Sequence, residues 1–531
     1  MTDSTAKNES RAFLIGGGIS SLAAAVFLIR DANMAGNRIT IFESGSSLGG
    51  SLDAYGSAET GYVVRGGRMF ESKYRCTYDL FSSIPTLDKS KTVTDEITAW
   101  NQTMKTCSKS RLFRGGRPQN APSFNLTEKQ IVALEWLGVA PDWVLGNSSI
   151  SDHFDPAFFE SDFWLMWCTT FSFQPWHSAI ELKRYLLRFM HMVSGFNTLN
   201  GIMGTVYNQF DSMIRPLQSW LEEHGVHFAR NTTITDLSFL HDAEGYRVES
   251  IRYWRDDRVD TIRIKETDYV FVTLGSMTES SSLGSMKTAP ELAVAKTNGA
   301  WALWKKIASK SPHFGRPGIF TDHVDQSKWV SFTTTLHDKI LFDQIRNLTG
   351  NVPGEGGLIT FPESSWLMSI VLPNQPHFAG QPEDVQVFWG YGLFVDKPGD
   401  YVNKPMSECN GREIMTELLF HLGLLPELNT IMDRSNCIPC MLPFITSQFL
   451  CRSKGDRPEV VPTRSRNLAF MGQFCELPDD VVFTVEYSVR SAQSAVYQLL
   501  KVDRTPPRVY QGKYDPRVVL RASLALHDAQ V

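Results

Sequence analysis

The sequence predicts an α/β fold built on a parallel sheet, and three observations lead to this prediction. A short apolar segment at residues 11–15 is followed by three glycines and then by an apolar helical segment. A second strand-like segment at residues 38–42 ends at an acidic residue, Glu43. Two more strand-like segments, 269–275 and 468–472, each end at a glycine far along the chain. A strand, a helix and a second strand in this order are typical of a right-handed parallel unit.

The glycine turn between the first strand and the helix has the features of a dinucleotide phosphate site. Gly16 allows a tight turn, and Gly18 allows a pyrophosphate to approach the backbone. The helix then begins at Ile19 and Ser20, where free N–H groups and a partial positive charge attract a phosphate. Ser21 stands at the third glycine position of the GxGxxG pattern and is small enough for close packing of helix on strand. The sequence therefore predicts a Rossmann-type nucleotide site.

Glu43 indicates which nucleotide this turn binds. It lies 25 residues after Gly18, at the end of the second strand, where a carboxylate can accept both ribose hydroxyls. That position favours an adenosine without a 2′-phosphate. Gly50 and Ser51 follow in a glycine-pair segment that lets an extended cofactor pass close to the chain, which resembles glutathione-reductase-like FAD proteins. FAD is therefore the expected cofactor.

Later segments extend the same prediction. Ile234, in the strand-like segment 231–236, is expected to pack against the adenine. Ser488 lies in a helix expected at residues 485–496, whose beginning is expected to meet the flavin. No second complete GxGxxG unit is visible, so no stable NAD(P)H site is predicted.

The expected FAD domain is discontinuous and is built from residues 11–75, 205–285 and 460–503. Residues 76–204 and 286–459 are assigned to a mixed α+β substrate domain, and residues 504–531 to a helical C-terminal tail. The segment 153–173 is crowded with phenylalanine and tryptophan, which predicts an apolar pocket or tunnel in the substrate domain.

Composition excludes several classes of protein. The 531 residues are 42% hydrophobic and carry a net charge of −5, so a nucleic-acid partner is not expected. The uncharged segment 12–29 is long enough to span a membrane, but its glycines interrupt it. A cytoplasmic protein is therefore expected, as a monomer or homodimer, with a tail that could make transient contact with a membrane surface.

The eight cysteines do not form a disulfide or metal framework. Cys437 and Cys440 form a lone CxxC pair surrounded by prolines and bulky apolar residues. A redox pair and half of a zinc site are the alternatives, but buried thiols are the expectation, and no metal is predicted.

A series of ordered blocks resembles the oleate hydratase family, once called myosin-cross-reactive antigens. The blocks include residues 65–71 (RGGRMFE), 171–177 (FSFQPWH), 207–212 (YNQFDS), 364–369 (SSWLMS) and 396–401 (DKPGDY). The resemblance runs from about residue 11 to about 515. It implies addition of water to the cis-9 double bond of oleate to give 10-hydroxystearate. It also implies a bound FAD, most active when reduced (FADH2), which orders the loop around Arg65, Gly66 and Gly67.

The resemblance assigns roles to three further residues. Tyr185 matches the tyrosine that protonates the alkene, although a phenol is a weak acid whose ordinary pKa is about 10. Met69 stands at the position of the water-activating glutamate and beside the flavin in the same loop, and a thioether cannot accept a proton. Glu71 matches the next glutamate of the loop. Three interpretations stay open: water is activated by Glu71 or a backbone carbonyl, capture needs no base, or hydration has been lost.

The carboxylate end also departs from the family pattern. Gln209 and His377 match residues that bind the fatty-acid carboxylate. Val371 and Pro373 replace a threonine and an asparagine there, and Asn374 is a candidate substitute. An unsaturated fatty acid and water are the expected substrates. The alternatives are a flavin oxidoreductase of the amine-oxidase or desaturase kind, and a non-catalytic lipid-binding flavoprotein.

Overall fold

The computed structural model describes residues 10–120, 122–293 and 299–528 of the chain. Residue 121 and residues 294–298 of the expected substrate domain, and the last three residues of the expected tail, lie outside the described residues.

The strands are, in chain order, β1 (Ala12–Ile15), β2 (Ile39–Phe42), β3 (Ala54–Ser57), β4 (Gly61–Val64), β5 (Ser110–Arg114), β6 (Arg117–Asn120), β7 (His227–Ala229), β8 (Thr233–Asp242), β9 (Gly245–Arg255), β10 (Arg258–Arg263), β11 (Tyr269–Thr273), β12 (Ser282–Leu283), β13 (Trp329–Leu336), β14 (Gly357–Thr360), β15 (Met368–Leu372), β16 (Gln386–Gly392), β17 (Ser435–Leu442) and β18 (Leu468–Met471).

The α-helices are, in chain order, α1 (Ile19–Arg30), α2 (Arg75–Phe81), α3 (Val93–Thr103), α4 (Glu128–Val139), α5 (Asp142–Leu145), α6 (Asp162–Phe171), α7 (Ala179–Arg188), α8 (Arg215–Glu223), α9 (Ala300–Ala308), α10 (Gly318–Thr321), α11 (Val324–Ser327), α12 (Ile340–Thr349), α13 (Gly411–Leu422), α14 (Leu428–Met432), α15 (Val485–Leu499) and α16 (Pro516–Leu526).

A five-stranded parallel sheet has the strand order β18-β11-β1-β2-β7. Each neighbouring pair runs parallel, and β1 pairs with β2 on one side and β11 on the other. The strands are short and apolar because both faces of such a sheet are covered. The predicted mixed α/β fold with a parallel sheet is therefore confirmed, and the sheet draws its strands from widely separated parts of the chain. The division into domains stays a prediction.

Helix α1 is formed by the apolar segment that follows the glycines. Every residue from Ile19 to Leu28 is buried, because α1 lies between the parallel sheet and the late helix α15. The seven residues of α1 from Leu22 to Leu28, including three alanines, are 0% exposed, and alanines let neighbouring elements approach closely. Within the described residues, no helix is long and apolar enough to span a bilayer.

An eight-stranded mixed sheet forms the second layer, in the order β12-β17-β13-β16-β15-β14-β5-β6. The hairpin β3–β4 lies on it: the N–H groups of Tyr62 and Val64 donate to the hydroxyls of Thr335 and Thr333 over 2.9 and 3.0 Å. Because β4 ends at Val64, the loop of residues 65–71 begins directly over this sheet. A three-stranded antiparallel sheet, β10-β9-β8, stands apart from both.

The cysteine pair and the C-terminal tail are both packed against other parts of the fold. Cys437 and Cys440 lie in β17, and burial raises the pKa of each thiol to about 12, so both are inert thiols in the core as the sequence predicts. The tail forms α16, which packs on the segment Met190–Thr198. Helix α7 ends at Arg188, and the 3-10 segment follows it.

Candidate active site

A deep cleft lies between the loop after β4, helices α6 and α7, and the eight-stranded sheet. Several residues singled out from the sequence line it together. They are Ser51, Gly66, Gly67, Met69, Glu71, Tyr185, Gln209, Asn374 and His377. The expected nucleotide residues do not line it; these are Gly16, Gly18, Ile19, Ser20, Ser21, Glu43, Gly50, Arg65, Ile234 and Ser488.

Tyr185 lies on α7 with its ring among aromatic side chains. Its side chain is 1% exposed, and Phe171, Phe173 and Phe189 pack around it with ring centroids 4.9–5.4 Å away. The hydroxyl donates to the carbonyl oxygen of Val482 over 2.5 Å. Burial, helped by nearby acidic groups, raises the pKa of Tyr185 well above its usual value. The phenol is therefore protonated at neutral pH and gives up its proton only to a strongly stabilised acceptor state.

Glu71 is a buried anion that is already fully engaged. Its carboxylate lies 2.7 Å from Arg188 and 3.3 Å from His191, and it accepts the N–H of Lys73 over 2.6 Å. Burial favours the neutral form, but the hydrogen bond from His191 and the charge of Arg188 outweigh it, so the pKa of Glu71 is lowered. A carboxylate held this way is a weak base with little freedom to orient water.

Met69 presents a thioether to the cleft and is half-buried among apolar side chains. The residue before it, Arg68, is a cation without a carboxylate within ion-pair distance among the described residues. The guanidinium instead lies over the ring of Phe483, 5.4 Å from its centroid, and burial lowers the pKa of Arg68 to about 10. Phe483 follows Val482, whose carbonyl accepts the hydrogen bond of Tyr185. The guanidinium of Arg68 therefore lies on the same side of the cleft as Tyr185.

Gln209 is hydrogen-bonded to the loop of residues 65–71. Its amide nitrogen donates to the carbonyl oxygen of Arg68 over 2.7 Å, and the side chain is nearly buried. Asn208, the preceding residue, donates through its N–H and its amide to the carbonyl of His377, over 2.8 and 3.0 Å. These contacts join the segment 208–209 to both the loop and the 371–377 wall.

His377 and Asn374 form the polar part of that wall. The imidazole of His377 is only partly exposed, and desolvation lowers its pKa to about 4 although the charge of Asp211 works against this. The ring is therefore neutral at neutral pH. Asn374 lies against Gly354, whose φ of +88° permits a turn that a side chain would obstruct.

The expected nucleotide end has close backbone packing. A Cβ on Gly50 would come within 3.1 Å of the Cα of Gly18, so these two glycines bring the turn and the glycine pair into contact. Gly18 is the N-cap of α1 and has no side chain to cap the first turn. Ser21 on that helix hydrogen-bonds Thr273 of β11 over 3.2 Å, where Gly16 also packs with a φ of +96°.

Glu43 follows β2, and its carboxylate accepts hydrogen bonds from two backbone N–H groups. These come from Gly17 over 2.8 Å and Gly45 over 2.7 Å. The N–H of Thr232 donates to the carbonyl of Glu43, so Ile234 stands close to the same place. Arg65 pairs with Asp53 at 2.7 Å and donates to the carbonyl of Gly50 over 2.9 Å, which joins the loop to the glycine pair.

Three expected residues lie in other surroundings. Ile19 and Ser20 are buried in the first turn of α1, and Gly472 packs beside Ser20. Ser488 is one turn inside α15 and accepts a hydrogen bond from Gln473 over 2.8 Å. At the start of that helix, Val485 and the N-cap residue Thr484 line the cleft.

The donor set fits FAD. The uncapped helix start, the Gly18–Gly50 contact and Glu43 suit an adenine dinucleotide, and Arg68 is a half-buried cation available to a phosphate or a flavin. The group Asp400, Glu417 and His421 has ligand atoms within 4.8 Å of one another. However, both oxygens of Glu417 accept backbone N–H groups of residues 400–402, so this cluster clamps a loop.

Sequence reasoning missed three functional candidates. Arg68 belongs to the RGGR motif, and its position directly before Met69 is the sequence signal that could have indicated a role in the site. Arg188 lies three residues after Tyr185, on the same face of α7, and no local pattern indicates its partner Glu71. Phe483 contacts Arg68 and comes from a loop with no distinctive motif.

Comparison with known proteins gives consistent matches. The model of the MCRA family matches residues 9–497. Oleate hydratase of Streptococcus pyogenes serotype M49 (strain NZ131) is 38% identical over 535 residues, covering 98% of this chain and 90% of the relative. Linoleate hydratase of Lactiplantibacillus plantarum is 33% identical over 570 residues, covering 98% and 99%.

A solved structure of an oxidoreductase from Methanosarcina mazei is 12% identical, with a TM-score of 0.47, covering 91% of this chain and 99% of that one. A score at this level does not establish a shared fold.

Proposed function

The chain belongs to the MCRA family, and from this premise we propose that it is a hydro-lyase that adds water to the double bond of unsaturated fatty acids. The finer proposal is FAD-dependent hydration of the cis-9 bond of oleate to give a 10-hydroxy product. The observation that carries it is that Tyr185 and residues 66–71 of the loop line one largely apolar cleft together. The names of two relatives, oleate hydratase and linoleate hydratase, support the substrate class.

Tyr185 supplies the proton in this proposal. Its hydroxyl turns from the Val482 carbonyl toward one alkene carbon and transfers the proton there, which leaves a cation on the other carbon and a phenolate on the enzyme. Arg188 favours the phenolate, and the charge of Arg68 acts on Tyr185 as well. Two nearby cations lower the cost of a phenolate in a buried site.

Water then adds to the cation without a carboxylate base. Met69 cannot accept a proton, and the carboxylate of Glu71 is taken up by Arg188, His191 and the N–H of Lys73. The proton released from the bound water returns to the Tyr185 phenolate, directly or through a second water. The reaction therefore consumes and releases no net proton and no net electron. Met69 forms an apolar wall beside the cation.

FAD would be held by the α1 turn at Gly16–Ser21, by Glu43 and Ile234, and by the loop at Arg65–Gly67. When bound, it supplies an ordered surface and a fixed field beside the loop, because the proposed hydration has no net redox change. Arg65 and Arg68 place the loop against that surface through the carbonyls of Gly50 and Ser51.

Product analysis tests the hydratase proposal. Purified protein incubated anaerobically with oleate in oxygen-18 water, with and without dithionite, should give a 10-hydroxy product that carries the label. Bleaching of the flavin by oleate without a hydrated product would instead favour an oxidoreductase. Binding of oleate with neither outcome would favour a lipid-binding flavoprotein.

Substitution of Glu43 tests the cofactor proposal. Glu43→Arg should abolish FAD retention, because a cation replaces the acceptor of the ribose hydroxyls. The control Glu43→Gln keeps the shape and one acceptor and should retain part of the FAD. A Glu43→Arg protein that purifies with full flavin absorbance would exclude this role.

Transient contact with a membrane surface is also part of the proposal. On the C-terminal tail, Tyr514 is 77% exposed and Leu520 is 61% exposed, and Arg521 next to Leu520 is exposed too. Apolar side chains flanked by arginine favour an anionic lipid surface. Co-sedimentation with phosphatidylglycerol vesicles should exceed that with phosphatidylcholine vesicles and fall in Leu520→Ser.

A further inference from the structure

One glycine of the cleft opens onto free space. In the part of the chain that the structure describes, the glycines that line the cleft are Gly66, Gly67, Gly204, Gly354, Gly356 and Gly357. A Cβ on any of the other five would meet a heavy atom at 3.5 Å or less, but a Cβ on Gly204 would meet none within 4 Å. The φ of Gly204 lies outside the left-handed region, so its backbone does not require a glycine. The missing side chain therefore leaves room for at least one methyl group.

This free space lies opposite Met69. The neighbouring residues Phe70 and Met203 form an antiparallel backbone pair, in which each N–H donates to the carbonyl of the other over 2.9 and 2.8 Å. In such a pair the next residues along the two segments face each other, and their side chains point to the same side. Gly204 is therefore across from Met69, and the space beside it adjoins the apolar wall that Met69 forms beside the proposed cation.

The side chain of Asn101 holds the backbone of Gly204 in place. Its amide oxygen accepts the N–H of Gly204 over 2.9 Å, and its amide nitrogen donates to the carbonyl of Gly204 over 2.8 Å. The same amide nitrogen donates to the carbonyl of Ile97 within helix α3. Because both backbone groups of Gly204 are bonded to a helix, the free space is a fixed feature of the cleft, and a larger side chain at this position would fill it.

The cleft offers little charge stabilisation to a cation. Within the described chain the carboxylates that line it belong to Asp53 and Glu71, and each is paired with an arginine at 2.7 Å. The guanidinium of Arg68 adds a positive charge to the same lining. A substrate that stabilises its own cation is therefore suited to this cleft. An alkyl branch on the double bond has this effect, because protonation then gives a tertiary cation in place of a secondary one.

We infer that the cleft also takes unsaturated fatty acids whose double bond carries a methyl branch on the carbon that receives water, and that Gly204 is the residue that admits the branch. Tyr185 protonates the unbranched alkene carbon, and the π bond is replaced by a C–H bond and a tertiary cation. Water forms the C–O bond there and its proton returns to the phenolate, so no electron is transferred. This inference rests on the proposed function, since it adds a substrate class to the same site.

Turnover of matched substrates tests the inference. Oleate and its 10-methyl derivative share one carboxylate, one chain and one double bond, and they differ by a single methyl group. We expect the full-length flavoprotein to convert the 10-methyl derivative to a 10-hydroxy-10-methyl product with a kcat/KM at least equal to that for oleate. The 9-methyl isomer places the tertiary cation on the other carbon and should react more slowly than the 10-methyl derivative by about ten-fold or more. Hydration of oleate without hydration of the 10-methyl derivative would overturn the inference.

Substitution of Gly204 tests the role of the free space. Gly204→Leu fills it and should lower kcat/KM for the 10-methyl derivative, relative to that for oleate, by about ten-fold or more. Gly204→Ala should have a smaller effect in the same direction. The control is Gly138→Leu, because Gly138 lies in helix α4, does not line the cleft and also has a φ outside the left-handed region. The control should leave the ratio unchanged, and equal losses on both substrates in Gly204→Leu would contradict the assignment of this space to the branch.

Binding of saturated ligands distinguishes failure of this inference from failure of the proposed function. Stearate and 10-methylstearate have no double bond to hydrate, and their dissociation constants are measured by equilibrium dialysis with labelled ligand, below the concentration at which each aggregates. If no alkene is hydrated but 10-methylstearate binds as tightly as stearate and is selectively weakened in Gly204→Leu, the hydratase proposal fails and the branch site stands. If oleate is hydrated but 10-methylstearate binds about ten-fold more weakly than stearate, the hydratase proposal stands and the branch site is excluded.

Discussion

Arg188 Nη1 lies 2.7 Å from Oε1 of Glu71, and this ion pair joins the helix that carries Tyr185 to the loop that carries Met69. Each side chain is only 2% exposed. Arg188 also lies 3.6 Å from Asp480, two residues before the carbonyl that binds the Tyr185 hydroxyl. The pair therefore fixes the relative positions of the proposed acid and the loop.

Glu71→Gln separates an anchoring role from a catalytic one. Removing one partner of a buried ion pair should lower the free energy of unfolding by about 3 kcal/mol. Turnover by the protein that remains folded should fall by less than about ten-fold, because water capture does not use this carboxylate. Urea denaturation and turnover measured on the same preparation check both parts.

The control for this variant is Glu223→Gln. Glu223 pairs with Lys89 at 2.8 Å on the surface, where solvent screens the pair, so its loss should leave stability nearly unchanged. If Glu71→Gln instead loses about 10²-fold in turnover with unchanged stability, Glu71 is the base.

Tyr185→Phe removes the proposed proton donor and keeps the ring. Turnover should fall by about 10²-fold or more while FAD stays bound. Tyr391→Phe is a matched control, because Tyr391 is also a buried tyrosine on the cleft whose hydroxyl donates to a backbone carbonyl, that of Thr169. Its loss should cost about 1 kcal/mol of stability and little turnover. Near-normal turnover in Tyr185→Phe would place the acid elsewhere.

Met69→Glu adds a carboxylate where the resemblance to the oleate hydratases implies one. If the new side chain ionises, a general base should raise turnover by up to about 10²-fold, provided Tyr185 is intact. The cationic Arg68 next to it favours the ionised form. Met69→Gln has the same shape without basicity and should show no gain. An equal rise in both variants would attribute the effect to water orientation rather than to proton acceptance.

His177→Asn should flatten the dependence of stability on pH. His177 is 0% exposed, its Nδ1 accepts the N–H of Gln174 over 3.0 Å, and burial lowers its pKa to about 3. In the unfolded chain this pKa is about 6.5, so the stability that the neutral ring contributes is present above pH 6.5 and is lost as the pH falls toward 3. By pH 5 the loss is about 2 kcal/mol.

Urea denaturation at pH 7.5 and pH 5 checks this expectation. Asparagine retains an acceptor near Nδ1 and does not titrate, so the variant should lose about 2 kcal/mol less than the parent between these two values. The lowered pKa values of Glu71 and Glu181 affect stability only below their ordinary value of 4.5, outside this window. Parallel losses in parent and variant would show that His177 does not control the acid response.

The sequence predicted the parallel sheet because its signals are local. An apolar segment, a glycine turn and an apolar helix lie next to one another in β1 and α1, and the acidic end of β2 follows directly. The eight-stranded sheet was not predicted in detail. Strands such as β13 are buried on both faces, so they lack the alternation that marks a strand from sequence.

The roles within the site depended on long-range contacts. The resemblance indicated Tyr185, Met69 and the loop, and the structure brings these residues to one cleft. It could not indicate that Glu71 pairs with Arg188, 117 residues away, or that the amide of Gln209 donates to the loop carbonyl of Arg68. Such partners are set by tertiary packing, which no local pattern reports.

The strand order of the parallel sheet has a consequence for biosynthesis. Strand β1 is translated first, but its neighbour β11 begins at Tyr269, and helix α15, which covers α1, ends only at Leu499. During translation the apolar helix α1 therefore lacks its final packing partners until most of the chain has left the ribosome. Such a long exposure of apolar surface favours aggregation of the nascent chain, and binding of a chaperone to this surface would prevent it. Truncation of the chain directly after β18 would remove α15 and leave α1 without the helix that packs on it.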